Sequence, residues 1–221
     1  MLMRWLRNLR SSRRPPLTQS GPRRWVVLDV ESSGLDTRRD RLLAIAAVAI
    51  RADGRRAVID LSDSFEVGLA QDEPAGAPDR ANILLHGIGV AAQQTGTPRP
   101  QALQLFADFV GSAPVVAFHA AFDQQMIERA FRAEGLEPPG IPWLDLEPLA
   151  AVLMPKERAR SLDEWMQVLD VHCSLRHQAA SDTLATAELL LKLWPRLLRE
   201  VPDAQFGAVV RLAAQRRWLP G

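Results

Sequence analysis

Trp25-Val26-Val27-Leu28-Asp29-Val30-Glu31-Ser32-Ser33-Gly34 decides how this chain folds. Four apolar residues in a row, closed by polar residues and a glycine, mark a buried strand that ends in a turn. Residues i and i+2 of a strand share a face, so Asp29 and Glu31 project to the same side. Two carboxylates on one face, next to buried Val and Leu, repel each other and are costly to desolvate. Two readings fit. One is a divalent cation held by hard oxygen ligands, Mg²⁺ or Mn²⁺; the other is a solvated strand end running into a Ser-Gly turn. Ser32 and Ser33 add hydroxyls and backbone N–H groups where a phosphate or sugar can dock.

Working outward, residues 41–51 form a second apolar run, Asp53-Gly54 is a hairpin signal, and residues 56–67 return as a third strand. The chain thus opens with a three-strand antiparallel meander. Residues 71–100 are rich in Gly, Pro and polar groups and read as a long surface loop, broken only by Ile83-Leu84-Leu85-His86-Gly87-Ile88. Loops of that length are often functional. Residues 101–111 carry Leu103, Phe106 and Val110 at helical spacing. A short strand over 114–118, a helix over 122–133 and another short strand over 141–146 follow. Helices are expected over 147–153 and 161–169, then a long apolar one over 179–198, stopped at Pro195 or soon after. Hairpins followed by alternating strands and helices predict an α/β sheet with helices packed on it.

With 221 residues, 47% of them hydrophobic, the chain can build one core of ordinary size. The net charge of +1 announces no polyanionic partner, but Arg4, Arg7, Arg10, Arg13, Arg14, Arg23 and Arg24 crowd the first 24 positions without an acid among them. Residues 1–24 read as a basic arm. Leu2, Trp5, Leu6 and Leu9 share a helical face, and Pro15, Pro16 and Pro22 interrupt it. A mobile, solvated tail is one reading, and contact with nucleic acid, a partner or a membrane surface is the other. Residues 25–199 are then the domain, and 200–221 a tail carrying one short helix. The lone Cys173 excludes an internal disulfide and a multi-cysteine metal site, and sets a cytoplasmic location as the expectation. No apolar run reaches the roughly 18 residues of a membrane span, and the charged N-terminus does not read as a signal peptide.

Three further residues bear on chemistry. Asp123 follows a strand and opens a helix, where it serves equally as a first-turn acid or a ligand. Asp182 lies on an otherwise apolar helix, among Ala179, Ala180, Leu184, Ala185 and Leu189. His177, five residues earlier, reads as a surface imidazole or as a proton acceptor, with His86, His119 and His172 as competitors.

Taken in order, these pieces resemble the three motifs of the DEDDh (DnaQ-like) 3′→5′ exonucleases. Asp29-Val30-Glu31-Ser32-Ser33-Gly34 corresponds to Asp-x-Glu-Thr-Thr-Gly. Phe118-His119-Ala120-Ala121-Phe122-Asp123 corresponds to His-Asn-Ala-x-Phe-Asp, and His177-Gln178-Ala179-Ala180-Ser181-Asp182 to His-x-Ala-x-x-Asp. Leu85-His86-Gly87-Ile88 is similar to a His-Gly-Ile segment of proofreading-type members. The resemblance covers roughly residues 25–195. It departs at Ser32 and Ser33, which replace two Thr, and at His119, which occupies the Asn slot. The sibling class with Tyr in place of the third-motif His is excluded, because the chain has no Tyr.

The resemblance implies a ribonuclease H-like mixed sheet, three antiparallel strands then two parallel ones, with helices on both faces. It implies a pair of divalent cations, Mg²⁺ or Mn²⁺. Asp29, Glu31 and Asp182 would hold one, Asp29 would bridge to the second, and Asp123 would support the second. His177 would be the general base of a hydrolysis that releases 5′-mononucleotides from a single-stranded 3′ end, DNA being favoured over RNA. Ser32, Ser33, Leu35, His86 and Phe122 are the candidate substrate contacts, with a core aromatic as the other reading of Phe122. A DNA polymerase is a candidate partner. The competing functions are an RNA-trimming or oligoribonucleotide-degrading member of the same family and a non-catalytic module that binds a polymerase or nucleic acid.

Overall fold

The computed structural model describes residues 23–53, 55–71, 83, 87–173 and 175–218. Residues 1–22 of the basic arm, and His86, lie outside them. Three long strands come first: β1 (Arg23–Ser32), β2 (Leu42–Ala52) and β3 (Ala57–Gly68). Helices α1 (Val90–Gln94) and α2 (Arg99–Val110) lead to β4 (Val115–Ala117), α3 (Ala121–Ala133) and β5 (Trp143–Asp145). Helices α4 (Leu146–Leu153), α5 (Leu162–Leu169), α6 (Ala179–Glu200) and α7 (Phe206–Ala213) follow, and a 3₁₀ turn, Ala214–Trp218, ends the described chain. The sheet order is β3-β2-β1-β4-β5. β1 pairs antiparallel with β2 and parallel with β4, and β4 parallel with β5. The expected mixed sheet of three antiparallel and two parallel strands is present.

Alternation along β1 divides two cores. Val26, Leu28 and Val30 face Leu103 and Phe106 of α2 and Met126 and Ile127 of α3. Trp25 and Val27 face the other way, onto α4, α6 and α7. Helices therefore cover both faces. Trp25, 1% exposed, meets the rings of Trp194 and Phe206 edge-on at 5.3 and 5.0 Å. Contacts of this kind add about 0.5–1.5 kcal/mol each beyond area burial. Asp29 and Glu31 continue the Trp25–Val27 row, so the pattern that builds the second core also delivers both carboxylates to the α6 side.

Three elements differ from expectation. Inside the stretch read as a loop, α1 forms, and Leu69 bridges Thr97 in parallel. Gly96 permits that approach, since a Cβ there would lie 2.7 Å from the Ala70 nitrogen. Second, α6 passes through Pro195 and ends at Glu200, two residues beyond the expected 198. A proline inside a helix costs ~3 kcal/mol, and the burial of Leu193, Trp194 and Leu197 against the sheet offsets it. Third, residues after Val201 pack as part of the core rather than trailing from it: Val209 is fully buried and Phe206 closes over Trp25.

Candidate active site

β1, β4 and β5 run parallel, so their C-terminal ends, and the starts of α3 and α4, gather at one end of the sheet. Asp29 pairs across the ladder with Ala46, and Glu31 with Ala44. Both partners are small, leaving room above the carboxylates. A bulge between Glu31 and Ser32 then turns the chain out of the sheet.

α6 reaches this end through a specific clamp. The Thr183 hydroxyl donates to the Ala46 carbonyl at 3.1 Å, on the residue that faces Asp29. The neighbouring Asp182, 6% exposed, is thereby placed beside Asp29. The first N–H of α6, at Ala179, hydrogen-bonds the Glu31 carboxylate, as helix N-termini favour. On the other side, Asp123 is buried in the first turn of α3, where the backbone of Val30 hydrogen-bonds it. The four acids singled out in the sequence thus come from three elements to one end of the sheet.

Their ionisation records the crowding. Asp29 is held well above the usual carboxylate range by burial, then by the charges of Asp123, Asp182 and Glu31. Glu31 is pushed up to about 8 by burial and by Asp182, against the pull of Arg176 and the Ala179 N–H. Asp123 is raised as well, chiefly by burial, with Asp145 and Glu31 adding to it. Among the described residues, no group of three or more His, Cys, Asp or Glu is already drawn in around a common point as a metal cage. Instead the Arg176 guanidinium forms an ion pair with Asp182 and a second one, at 2.5 Å, with Asp163 of α5. The donor set is nonetheless of one kind, carboxylate oxygens in mutual repulsion, and that chemistry fits a hard divalent cation.

His177 lies in the turn before α6 at φ 61°. Its N–H donates to Asp182 Oδ2 at 3.1 Å, and its ring is exposed. The competing histidines stand elsewhere: His172 is on the surface 3.3 Å from Asp170, and His119 is tethered by its backbone to Asp145. The remaining candidates diverge. Ser33 organises the turn, bonding Asp40 Oδ1 at 3.0 Å and accepting from the Arg41 N–H at 2.9 Å. Ser32 donates to the Gly34 carbonyl at 2.6 Å. A Cβ on Gly34 would meet the Asp40 carboxylate at 2.4 Å, so a larger residue there would push that side chain off its bonds in the turn. Leu35 projects from this turn 88% exposed, whereas Phe122 is half-buried against the α2–α3 core.

Sequence reasoning missed Asp145. Its Oδ1 accepts from the N–H of His119 at 3.0 Å and from that of Glu147 at 3.1 Å, capping α4 while holding the second-motif turn. Its place at the end of a parallel strand was the available signal, since α/β sheets gather their functional groups at strand C-termini. Arg176 was also overlooked, although it directly precedes His177.

A family model described as "Exonuclease" matches residues 26–190. A DNA polymerase III subunit epsilon-like protein of Rhodobacter capsulatus is 34% identical over 189 residues, covering 84% of this chain and 26% of that protein. A PolC-type DNA polymerase III of Bacillus cereus is 30% identical over 169 residues, 76% of this chain and 11% of the polymerase. The chain therefore spans only a fraction of the length of these relatives. Among solved structures, the zinc-bound complex of E. coli exonuclease I with single-stranded DNA superposes with a TM-score of 0.65 at 17% identity, over 80% of this chain and 42% of that one, a likeness of fold. The chain belongs to the exonuclease family of that model, and it carries an exonuclease domain.

Proposed function

We propose that this chain is a metal-dependent 3′→5′ exonuclease that removes 5′-mononucleotides from single-stranded DNA. The observation that carries the reading is the meeting of Asp29 and Glu31 from β1, Asp123 from α3 and Asp182 from α6 at one end of the sheet, with His177 beside them. Carboxylates that hold one another above their normal range need a cation to stay ionised together. Asp29, Glu31, Asp123 and Asp182 would hold one or two Mg²⁺ or Mn²⁺ ions. Bound there, the metal supplies charge neutralisation for the attacking and leaving oxygens.

The protein's own groups do the rest. The exposed ring of His177 takes a proton from the attacking water as the water adds in line to phosphorus. The 3′ oxygen of the penultimate nucleotide leaves, and the terminal nucleotide departs with its 5′-phosphate. Asp182 orients His177 by accepting its backbone N–H. Leu35, exposed on the turn after β1, and the half-buried Phe122 are the proposed contacts to the terminal base. Stacking on an aromatic ring is worth about 1–3 kcal/mol per base.

The preference for DNA is supported by the names of the relatives, a DNA polymerase III subunit epsilon-like protein and a PolC-type DNA polymerase III. The same names make a polymerase the proposed partner. No helix among the described residues is long and apolar enough to cross a membrane.

The test is digestion of end-labelled single-stranded DNA, single-stranded RNA and a mismatched primer terminus. With Mg²⁺ the DNA should shorten from its 3′ end and release mononucleotides, and EDTA should stop it. Shortening from the 5′ end, or no shortening with any divalent cation, overturns the reading. Faster loss of RNA moves the substrate to the family's RNA-directed members.

A further inference from the structure

A shallow groove opens where the segment between α4 and α5 meets the C-terminal 3₁₀ turn, lined by Arg158, Arg160 and Arg216 together with one acid, Glu157. The two segments lie more than fifty positions apart in the sequence. Two chains of contact tie the groove to the carboxylate site. Arg160 directly precedes Ser161, the N-cap of α5, and Asp163 in the first turn of that helix holds Arg176 against Asp182. On the opposite side, Arg216 approaches Glu147 at 4.0 Å, and Glu147 donates its N–H to Asp145, which anchors His119 beside Asp123. Arg160 and His119 also act electrostatically on Glu147. With three arginines against one acid the groove is a net cationic rim, linked through Glu147 and Asp145 to the end of β5.

A cluster of acids repels a polyanionic strand, so positive charge close by must hold the strand while its end reaches the carboxylates. We propose that the groove lined by Arg158, Arg160 and Arg216 binds backbone phosphates of the substrate strand on the 5′ side of the scissile bond. This rests on the exonuclease reading above and adds where the strand is gripped. Contacts of this kind go to phosphate, which is common to every sequence, so they set affinity and length preference rather than base preference.

The experiment compares kcat/KM on an oligothymidylate of about ten nucleotides with that on a thymidine dinucleotide, whose one internucleotide phosphate is the scissile one, so that it offers the rim nothing to hold. The full chain, its Arg160→Ala/Arg216→Ala double variant and the Arg160→Lys/Arg216→Lys double variant are measured with Mg²⁺ over a range of salt. The alanine variant should lose about tenfold on the oligomer, almost all of it in KM, and be unchanged on the dinucleotide. Its plot of log kcat/KM against log salt should be shallower by about 0.7 for each phosphate contact removed. The lysine variant should keep the salt slope of the parent. Equal losses on both lengths, an unchanged slope, or a lysine variant as weak as the alanine one overturns the proposal. If the unmodified chain cleaves neither substrate, the exonuclease reading itself fails, and that outcome is seen without any variant.

Discussion

Arg176 occupies Asp182: its guanidinium pairs with the carboxylate that also receives the His177 N–H, and Asp163 braces it from α5. Although burial acts to lower it, Arg176 is held above its ordinary range by hydrogen bonds and charge from Asp163 and Asp182. The arginine thus does for Asp182 part of what a cation would do for the whole cluster.

It follows that Arg176→Met should destabilise the metal-free protein by about 1–3 kcal/mol, because it leaves a buried carboxylate without its counter-charge. The same change should tighten Mg²⁺ binding, since the metal no longer competes with the guanidinium. Melting in EDTA, and Mg²⁺ titration followed by calorimetry, read the two effects. A variant that is as stable as the parent and binds metal no better would show the pair to be incidental.

His177→Ala should lower kcat by about 10²–10⁴-fold while leaving KM for single-stranded DNA nearly unchanged, the signature of a lost proton acceptor. An unaltered kcat would remove His177 from the reaction. Because the residue sits at φ 61°, His177→Asn is the better folding control, as asparagine tolerates that conformation.

Glu31 supplies a pH dependence with a definite sign. Its folded-state value lies near 8, against an ordinary 4.5. Through that window the folded chain keeps a proton that the unfolded chain has released, so this group's contribution to stability falls as pH rises. Asp29 and Asp123, both raised, act in the same direction. In EDTA the melting temperature should drop by on the order of a few degrees between pH about 5 and about 8, and Mg²⁺ should recover most of it by binding the ionised acids. A flat profile in EDTA would mean that the carboxylates are not crowded in solution.

The second-motif departure makes a smaller prediction. His119 adopts φ 58°, a conformation that asparagine, the family residue at this position, accepts readily. His119→Asn should therefore change stability by less than about 0.5 kcal/mol, while His119→Val should cost about 1–2 kcal/mol in strain. Asp145→Ala should cost about 1 kcal/mol through the lost cap of α4 and should also slow the nuclease, because the turn next to Asp123 is released. Urea unfolding and a turnover assay on the three variants settle both points.

Much of this was legible in the sequence, for reasons of period and local chemistry. The apolar run at Trp25–Leu28 marked the strand, and the two-residue period of a strand put Asp29 and Glu31 on the same side. The apolar runs, the Asp53-Gly54 turn and the helical spacings gave the order of elements and an α/β sheet, and the resemblance in the three motifs implied its mixed strand directions. What a local pattern cannot carry is the meeting of distant segments. Pro195 signalled only the neighbourhood in which α6 ends, and the helix passes through it because Trp194 and Leu197 are buried by residues far along the chain. Asp145 and Arg176 gained their roles only when β5 lay down beside β4 and α5 against α6. The Thr183 clamp on Ala46 spans 137 positions, and it is this contact, fixed by packing and not by spacing, that carries Asp182 to Asp29. The sequence by itself determined which acids this protein carries and on which elements. Tertiary structure alone decided that they face one another, since repulsion among buried charges is tolerated only where the rest of the core is stable enough to impose it.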